Sequence, residues 1–168
     1  MANIVRLPDS YRFVKARIVG NEILVHAEPP AGGGGCRRIF VRPVNSTNVS
    51  AIEFGADQDV VDFEHYPLLG AVFVLVATRR DRGLYDLHLL GLDASRATRT
   101  IFPVSGGSKD LYPVAFMGPA ADARRLAMAC GEMLRGPQST GTVRYFVFFI
   151  EPDSGAHERG PELLGAFF

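Results

Sequence analysis

The sequence predicts an all-β protein in which residues 1–168 form a single domain of three four-stranded antiparallel units. Gly and Pro make up 18 and 11 of the 168 residues, which favours many turns and short strands over long helices. Short apolar or alternating runs bounded by turn residues recur along the chain. The order strand, turn, strand, loop, strand, turn, strand occurs three times, in units 11–54, 59–104 and 110–168.

The hairpin in the second unit has the clearest strand pattern. Val72–Ala77 is a run of six apolar residues, and the strand-like segment Leu84–Leu92 follows after the polar segment Thr78–Gly83. Two strand patterns joined by a short loop that contains Gly predict an antiparallel hairpin. The first run is too apolar for a half-solvated strand, so we expect both of its faces to be buried.

The other elements follow from the same signals in chain order. Alternation from Tyr11 and a turn at Val19–Glu22 open the first unit, and Glu28–Gly35 (EPPAGGGG) can be neither strand nor helix. In the third unit the loop Gly131–Gly141 precedes the third strand, and the apolar segment Glu162–Phe168 is taken as the last strand. The twelve predicted strands are 11–18, 23–27, 36–43, 48–54, 59–65, 72–77, 84–92, 97–104, 110–117, 125–130, 142–151 and 162–168.

The spacing of the units indicates a known repeat architecture. The second strands begin near Ile23, Val72 and Leu126, so successive units lie about 50 residues apart. A period of roughly 40 to 50 residues with four strands per unit is typical of β-propeller blades, and the units are therefore predicted to be propeller-like.

Residues 72–130 also resemble a family. The segment ATRRDRGLYDLHLLGLDASRATR, followed by DLYPVAFMGPAADARRLAMAC, is similar to the blades of propellers of the prolyl-oligopeptidase and Tol-associated type. In those blades an Arg/Asp/Gly loop leads to an aromatic-Asp-apolar strand, and a Pro-aromatic strand and an Asp turn follow. The resemblance implies a propeller fold without hydrolase activity, because hydrolysis would need a separate catalytic domain.

An α+β fold with one helix near residues 119–135 is the alternative. Pro119 would lie in the first turn of this helix, and good helix formers fill the segment. The apolar residues at helical spacing are Ala123, Leu126, Ala127, Cys130, Met133 and Leu134. The same segment also alternates as a strand, with Leu126, Met128 and Cys130 on one side, and the repeat favours the strand.

Composition bounds the partners and the compartment. Eighteen basic residues balance 18 acidic ones, whereas a nucleic-acid binder usually has a basic excess, so no nucleic-acid partner is expected. The sequence shows neither a secretory signal nor an apolar run long enough to span a membrane, which predicts a soluble cytoplasmic protein without a membrane partner. Cys36 and Cys130 are then expected to be buried thiols in a reducing compartment, although a disulfide between them stays open.

The motifs point to no catalytic residue, metal or cofactor. Gly32–Gly35 lacks the Lys-Ser/Thr of a phosphate-binding loop, and Ser105–Ser108 is not a nucleophile elbow. The four histidines are too far apart in sequence to form a metal-binding pair, and neither cysteine adjoins one. The three acidic residues of 57–62 do not match a calcium loop and read as a solvated loop.

The predicted binding residues lie in loops at one end of the units. These loops join second to third strands and one unit to the next, and they are long, Gly-rich or charged. Arg suits carboxylates and phosphates, and loops on a rigid scaffold concentrate binding residues. The predicted contact set is Arg79, Arg80, Arg82, Asp57 and Lys109.

These observations predict a non-enzymatic protein-interaction or assembly module built on propeller-like repeats. Three units cannot close a ring and leave open sheet edges, so self-association is expected, helped by the apolar segment Leu163–Phe168. Two alternatives are an oligomeric ligand- or sugar-binding propeller of the lectin kind and, if residues 119–135 are helical, a small α+β enzyme.

Overall fold

The computed structural model describes residues 7, 10–30, 36–78, 85–90, 97–102, 111–122, 124–133 and 143–164. Within these ranges the chain forms twelve strands and one short 3-10 turn, Pro67–Leu69. The strands are β1 (Arg12–Val19), β2 (Glu22–Glu28), β3 (Arg38–Pro43), β4 (Ser50–Glu53), β5 (Gln58–Tyr66), β6 (Ala71–Thr78), β7 (Tyr85–Leu90), β8 (Thr98–Phe102), β9 (Leu111–Pro119), β10 (Leu126–Met133), β11 (Val143–Ile150) and β12 (His157–Glu162).

The strands pair in chain order into three four-stranded antiparallel sheets. Sheet 1 holds β1 to β4, sheet 2 holds β5 to β8 and sheet 3 holds β9 to β12. The predicted all-β fold of three four-stranded units is therefore confirmed. The described residues contain no helix long and apolar enough to cross a membrane.

Sheet 2 is the middle layer of the stack, as strand β6 shows. Val72, Val74 and Val76 belong to the apolar core shared with sheet 1. Phe73 and Leu75 alternate with them and belong to the core shared with sheet 3. The prediction that this run is buried on both faces is confirmed. We call the face toward the next sheet in chain order the front and the opposite face the back.

The first strands of the three sheets are neighbours, and each contains a β-bulge. Strand β1 contacts β5, and β5 contacts β9. The ladder to the second strand skips one residue in each first strand, and in each case this residue is a valine: Val14, Val61 and Val114. Strand β9 has a further irregularity at Met117. Bulges bend an edge strand and oppose further pairing along that edge.

The alternative of a helix near residues 119–135 is wrong, because Leu126–Met133 is strand β10. It pairs along its length with β9 on one side and β11 on the other, so neighbouring strands satisfy its backbone. Leu126, Met128 and Cys130 pack against sheet 2, while Ala127 and Ala129 lie on the front face. The premise of the α+β enzyme is therefore removed.

The predicted last strand, 162–168, does not match the described residues, because Glu162 ends strand β12 and Leu163 and Leu164 follow it outside any strand. Strand β12 spans His157–Glu162, and residues 165–168 lie outside the described part of the chain. Strand β12 is an edge strand with mostly exposed side chains, so it forms without an apolar run. Leu164 is 91% exposed, and the expected contribution of this apolar segment to self-association stays a prediction, because residues 165–168 are not among the described ones.

The predicted turn at Val19–Glu22 and a second tight turn after β5 each contain a left-handed glycine. Gly20 has φ 57° in the turn between β1 and β2. Gly70 has φ 59° after the 3-10 turn, and its N–H donates to Pro67 O at 3.1 Å. Glycine adopts this conformation without the steric cost of a side chain.

Candidate functional site

The predicted contact set falls mostly outside the described residues. Arg79, Arg80, Arg82 and Lys109 are not among them. Asp57 lies half-buried in the connection between β4 and β5, where the Gly55 N–H donates to the Gln58 side chain at 3.0 Å. Binding by this set therefore stays a prediction.

The first strands of sheets 1 and 2 carry a junction cluster of four charged residues: Lys15 and Arg17 on β1, and Asp62 and Glu64 on β5. Lys15 Nζ lies 2.9 Å from Asp62 Oδ1 and 2.9 Å from Glu64 Oε2. The Arg17 guanidinium donates to both Glu64 oxygens, at 2.5 and 2.8 Å. A two-pronged guanidinium–carboxylate contact fixes geometry as well as charge.

The electrostatics of the junction cluster favour its charged form. Burial raises the pKa of Glu64, but hydrogen bonds from Arg17, Lys15 and the His65 amide together outweigh burial and hold that pKa at about 2. The hydrogen bond to Glu64 raises the pKa of Arg17. The Lys15 ammonium also lies 5.8 Å from the centre of the Phe63 ring. The cluster therefore ties sheet 1 to sheet 2.

The cluster follows from the repeat, although our sequence analysis did not find it. Lys15 is paired with His26 in the ladder, and Asp62 is paired with Leu75; each follows its bulge valine directly. Two of the ion pairs, Lys15 with Asp62 and Arg17 with Glu64, join residues 47 positions apart. The signal in the sequence was Lys-x-Arg in one unit and Asp-x-Glu at the matching place in the next.

His26, the ladder partner of Lys15, is buried, and so is Cys36. His26 is 3% exposed, and neither ring nitrogen has a hydrogen-bond partner of normal geometry among the described residues. Burial lowers the pKa of His26, against smaller opposing effects of the Asp62 and Glu28 charges and the Val60 backbone. Burial raises the pKa of the Cys36 thiol, which lies 3.1 Å from Ala27 O.

Cys36 and Cys130 are both buried free thiols, as predicted. Burial raises the pKa of Cys130 as well. No group of three His, Cys, Asp or Glu residues within the described ranges is placed to hold a metal ion.

A groove, here called the back groove, lies on the back face of sheet 1. Its volume is about 480 Å³, and it is lined by Phe13, Ala16, Arg17, Ile18, Ile23, Val25 and Val44. Phe13 is 59% exposed and Ile18 is 66% exposed. The other end of this face is covered, because Tyr11 packs edge-on against Phe40 with ring centres 5.3 Å apart.

Arg42 lies on the same face, next to the back groove. It is paired with the groove residue Ile23 in the ladder between β2 and β3. Arg42 is 5% exposed, and its Nη1 donates to Ser46 O at 2.6 Å. Its Nε and Nη2 atoms are buried without a hydrogen-bond partner within the described structure. A guanidinium with two unmet donors is costly and matches a carboxylate.

Comparison with protein-family models, with curated proteins and with solved structures gives no match to this chain. The resemblance to propellers of the prolyl-oligopeptidase and Tol-associated type therefore stays a prediction.

Proposed function

We propose that this chain is a non-enzymatic assembly module, whose propeller-like sheets bind a protein partner by adding a further sheet to the stack. The preferred partner is a second copy of the chain. The observation that carries this proposal is the back groove, where Phe13 and Ile18 are exposed beside the buried Arg42.

The stacking inside the chain supports this mode of binding. Val74 on β6 packs toward sheet 1, and Phe73 packs toward sheet 3, so the middle sheet is buried by a neighbour on each side. Sheet 1 has such a neighbour on its front face, and no described sheet covers its back face. Another sheet is the kind of surface that this face fits.

The apolar side chains give the contact a driving force. Fully burying a side chain such as Phe or Ile is worth about 1.5–3 kcal/mol. Phe13 and Ile18 both stand at the groove, so a partner that covers them gains from both. Exposed apolar patches next to polar groups are typical of protein interaction sites.

The sugar-binding alternative has less support. Its sites would lie between adjacent sheets and would need open space lined by aromatic and polar groups. Between sheets 1 and 2 the described side chains are apolar core residues, the junction cluster and two buried histidines, His26 and His88, which are only 3% and 6% exposed and leave little open space. Assembly through the back groove is therefore the function that the geometry supports best.

Light scattering after size-exclusion chromatography tests the proposal. The parent chain should show a concentration-dependent mass above 18.3 kDa. Ile18→Glu places a charge in the groove and should return the mass to that of one chain. Leu68→Glu is the matched control, because Leu68 is 73% exposed in the 3-10 turn, away from the groove. A single-chain mass for the parent at every concentration would contradict self-assembly.

A further inference from the structure

We infer that the back groove receives the front face of sheet 3 from a second copy, and that Arg42 then pairs with Glu158 of that copy. This inference rests on the proposed assembly function and names its partner and its contact. Two chains joined in this way form two identical contacts and a closed ring of six sheets, within the four to eight blades of known propellers.

The direction of stacking inside the chain leads to this arrangement. Each internal contact places the front of one sheet on the back of the next: Leu24 on the front of sheet 1 shares a core with Val74 on the back of sheet 2. The same order joins Phe73 to Met128. Among the three described sheets, none covers the back of sheet 1 or the front of sheet 3, and these two faces complement each other.

The repeat shows what Arg42 would face. Arg42 is paired with Ile23, and Leu90 is paired with Val72; Ile23 and Val72 are each the second residue of the second strand. Leu90 is buried in the core between sheets 1 and 2, together with Leu24 and Val41 of the sheet 1 front. Arg42 occupies on the back of sheet 1 the position that Leu90 occupies on the back of sheet 2. The row of a partner's front face that corresponds to Leu24 and Val41 should therefore lie against Arg42.

That row on sheet 3 contains Glu158. Leu24 on β2 and Ala127 on β10 occupy matching positions, because each lies two residues before the ladder partner of the residue that follows the bulge valine. In the ladders of sheet 3, Ala127 is paired with Phe149, and Phe149 is paired with Glu158. The Glu158 side chain is 71% exposed, so its carboxylate is available to a second chain.

The two charges complement each other in chemistry as well as in position. Among the described residues, Arg42 has two buried donors without partners, and Glu158 is held by the side chain of Arg125, at 2.9 Å. Because these donors are enclosed in the single chain, the Arg42 side chain turns toward the back groove to reach the partner's carboxylate. A charge-assisted bond between the two chains would satisfy the guanidinium, and burial would strengthen it. Sheet 2 lies between sheets 1 and 3, so Arg42 and Glu158 of one chain cannot meet each other.

Charge reversal at Glu158 tests the contact without disturbing a buried residue. Glu158→Arg should weaken dimerisation at least about tenfold, since it sets two cations against each other. The control is Asp153→Arg, because Asp153 is fully exposed and belongs to the turn before β12. Equal dimerisation of the Glu158→Arg chain and the parent would overturn the inference.

Cross-linking identifies which faces meet. A chain with Val44→Cys is mixed with a chain with Glu158→Cys and treated with a short bismaleimide; the parent chain is the control, because Cys36 and Cys130 are buried. A cross-linked pair should form in the mixture and not in either variant alone. Cross-linking of Val44→Cys chains with each other would mean that two back grooves meet, which overturns the inference while self-assembly stands. A parent chain that never dimerises would remove both proposals.

Discussion

Lys15 Nζ lies 2.9 Å from Asp62 Oδ1, and the two residues occupy the same step of consecutive sheets, directly after a bulge valine. Opposite charges at one repeated position give the contact between sheets 1 and 2 a chemical preference. Like charges there would repel, so a sheet that carried positive charges at this position would stack poorly on sheet 1.

Removing the charge of Glu64 should loosen sheet 1 from sheet 2. Glu64→Gln loses the two-pronged contact with Arg17 and the pair with Lys15, so we expect a loss of about 1–3 kcal/mol in the free energy of unfolding. Urea unfolding measures it. Glu53→Gln is the control, because Glu53 pairs with Arg38 in an exposed setting, at 3.3 Å. Equal effects of the two variants would contradict a special role of the cluster.

Stability should fall on mild acidification because of His26. Burial lowers the pKa of His26 from its usual 6.5, so the unfolded chain binds this proton at higher pH than the folded chain does. The free energy of unfolding is therefore fully retained above about pH 6.5 and decreases as the pH drops below that value. Glu64 acts only at lower pH, since its pKa moves from 4.5 to about 2 and its contribution is lost between these values.

Urea unfolding at about pH 8, 6 and 5 would detect the His26 effect. His26→Phe should flatten the pH dependence over this range. The explanation fails if His26→Phe chains lose stability with acid as steeply as the parent does.

The middle sheet should be the most sensitive to truncation. Phe73 is fully buried in the core between sheets 2 and 3, so Phe73→Ala should cost about 3–5 kcal/mol in the free energy of unfolding. Leu68→Ala should cost much less, because Leu68 is exposed. Thermal and urea unfolding compare the two. A small loss for Phe73→Ala would argue against the packing of sheet 2 on sheet 3.

Both thiols should resist modification in the folded protein. Cys36 and Cys130 are buried, and burial raises the pKa of each, so little thiolate is present at neutral pH. A disulfide-exchange reagent should react slowly until denaturant is added and should then titrate two thiols per chain. Fast reaction of either thiol in native buffer would contradict the burial.

The sequence predicted the sheets well because apolar alternation reports burial directly. The run from Val72 to Ala77 marked the doubly buried strand, and the repeat correctly favoured the strand over the helix at Leu126–Cys130. It failed at β12, where His157–Glu162 is polar because an edge strand buries little. Apolar content pointed instead to Glu162–Phe168, of which Glu162 ends β12 and Leu163 and Leu164 lie after the strand.

The candidate site was harder to predict than the fold. The junction cluster joins residues far apart in sequence, and its pairing becomes visible only when the two units are aligned through their bulges. Arg42 gave no signal, since an arginine in the pattern RIFVRP reads as an ordinary solvent-facing strand residue. Its burial depends on packing around the back groove, which no local pattern encodes.

The burial of sheet 2 on both sides also has a consequence during protein synthesis. Sheets 1 and 2 are complete in sequence by Phe102, but Phe73 and Leu75 stay uncovered until β10 and β11 have been made. At about 5–20 residues per second, translation of that stretch takes several seconds. During this time an apolar β strand faces solvent or a chaperone, and it has the character of an aggregation-prone segment. The nascent chain is therefore most vulnerable to misassembly between the second sheet and the third.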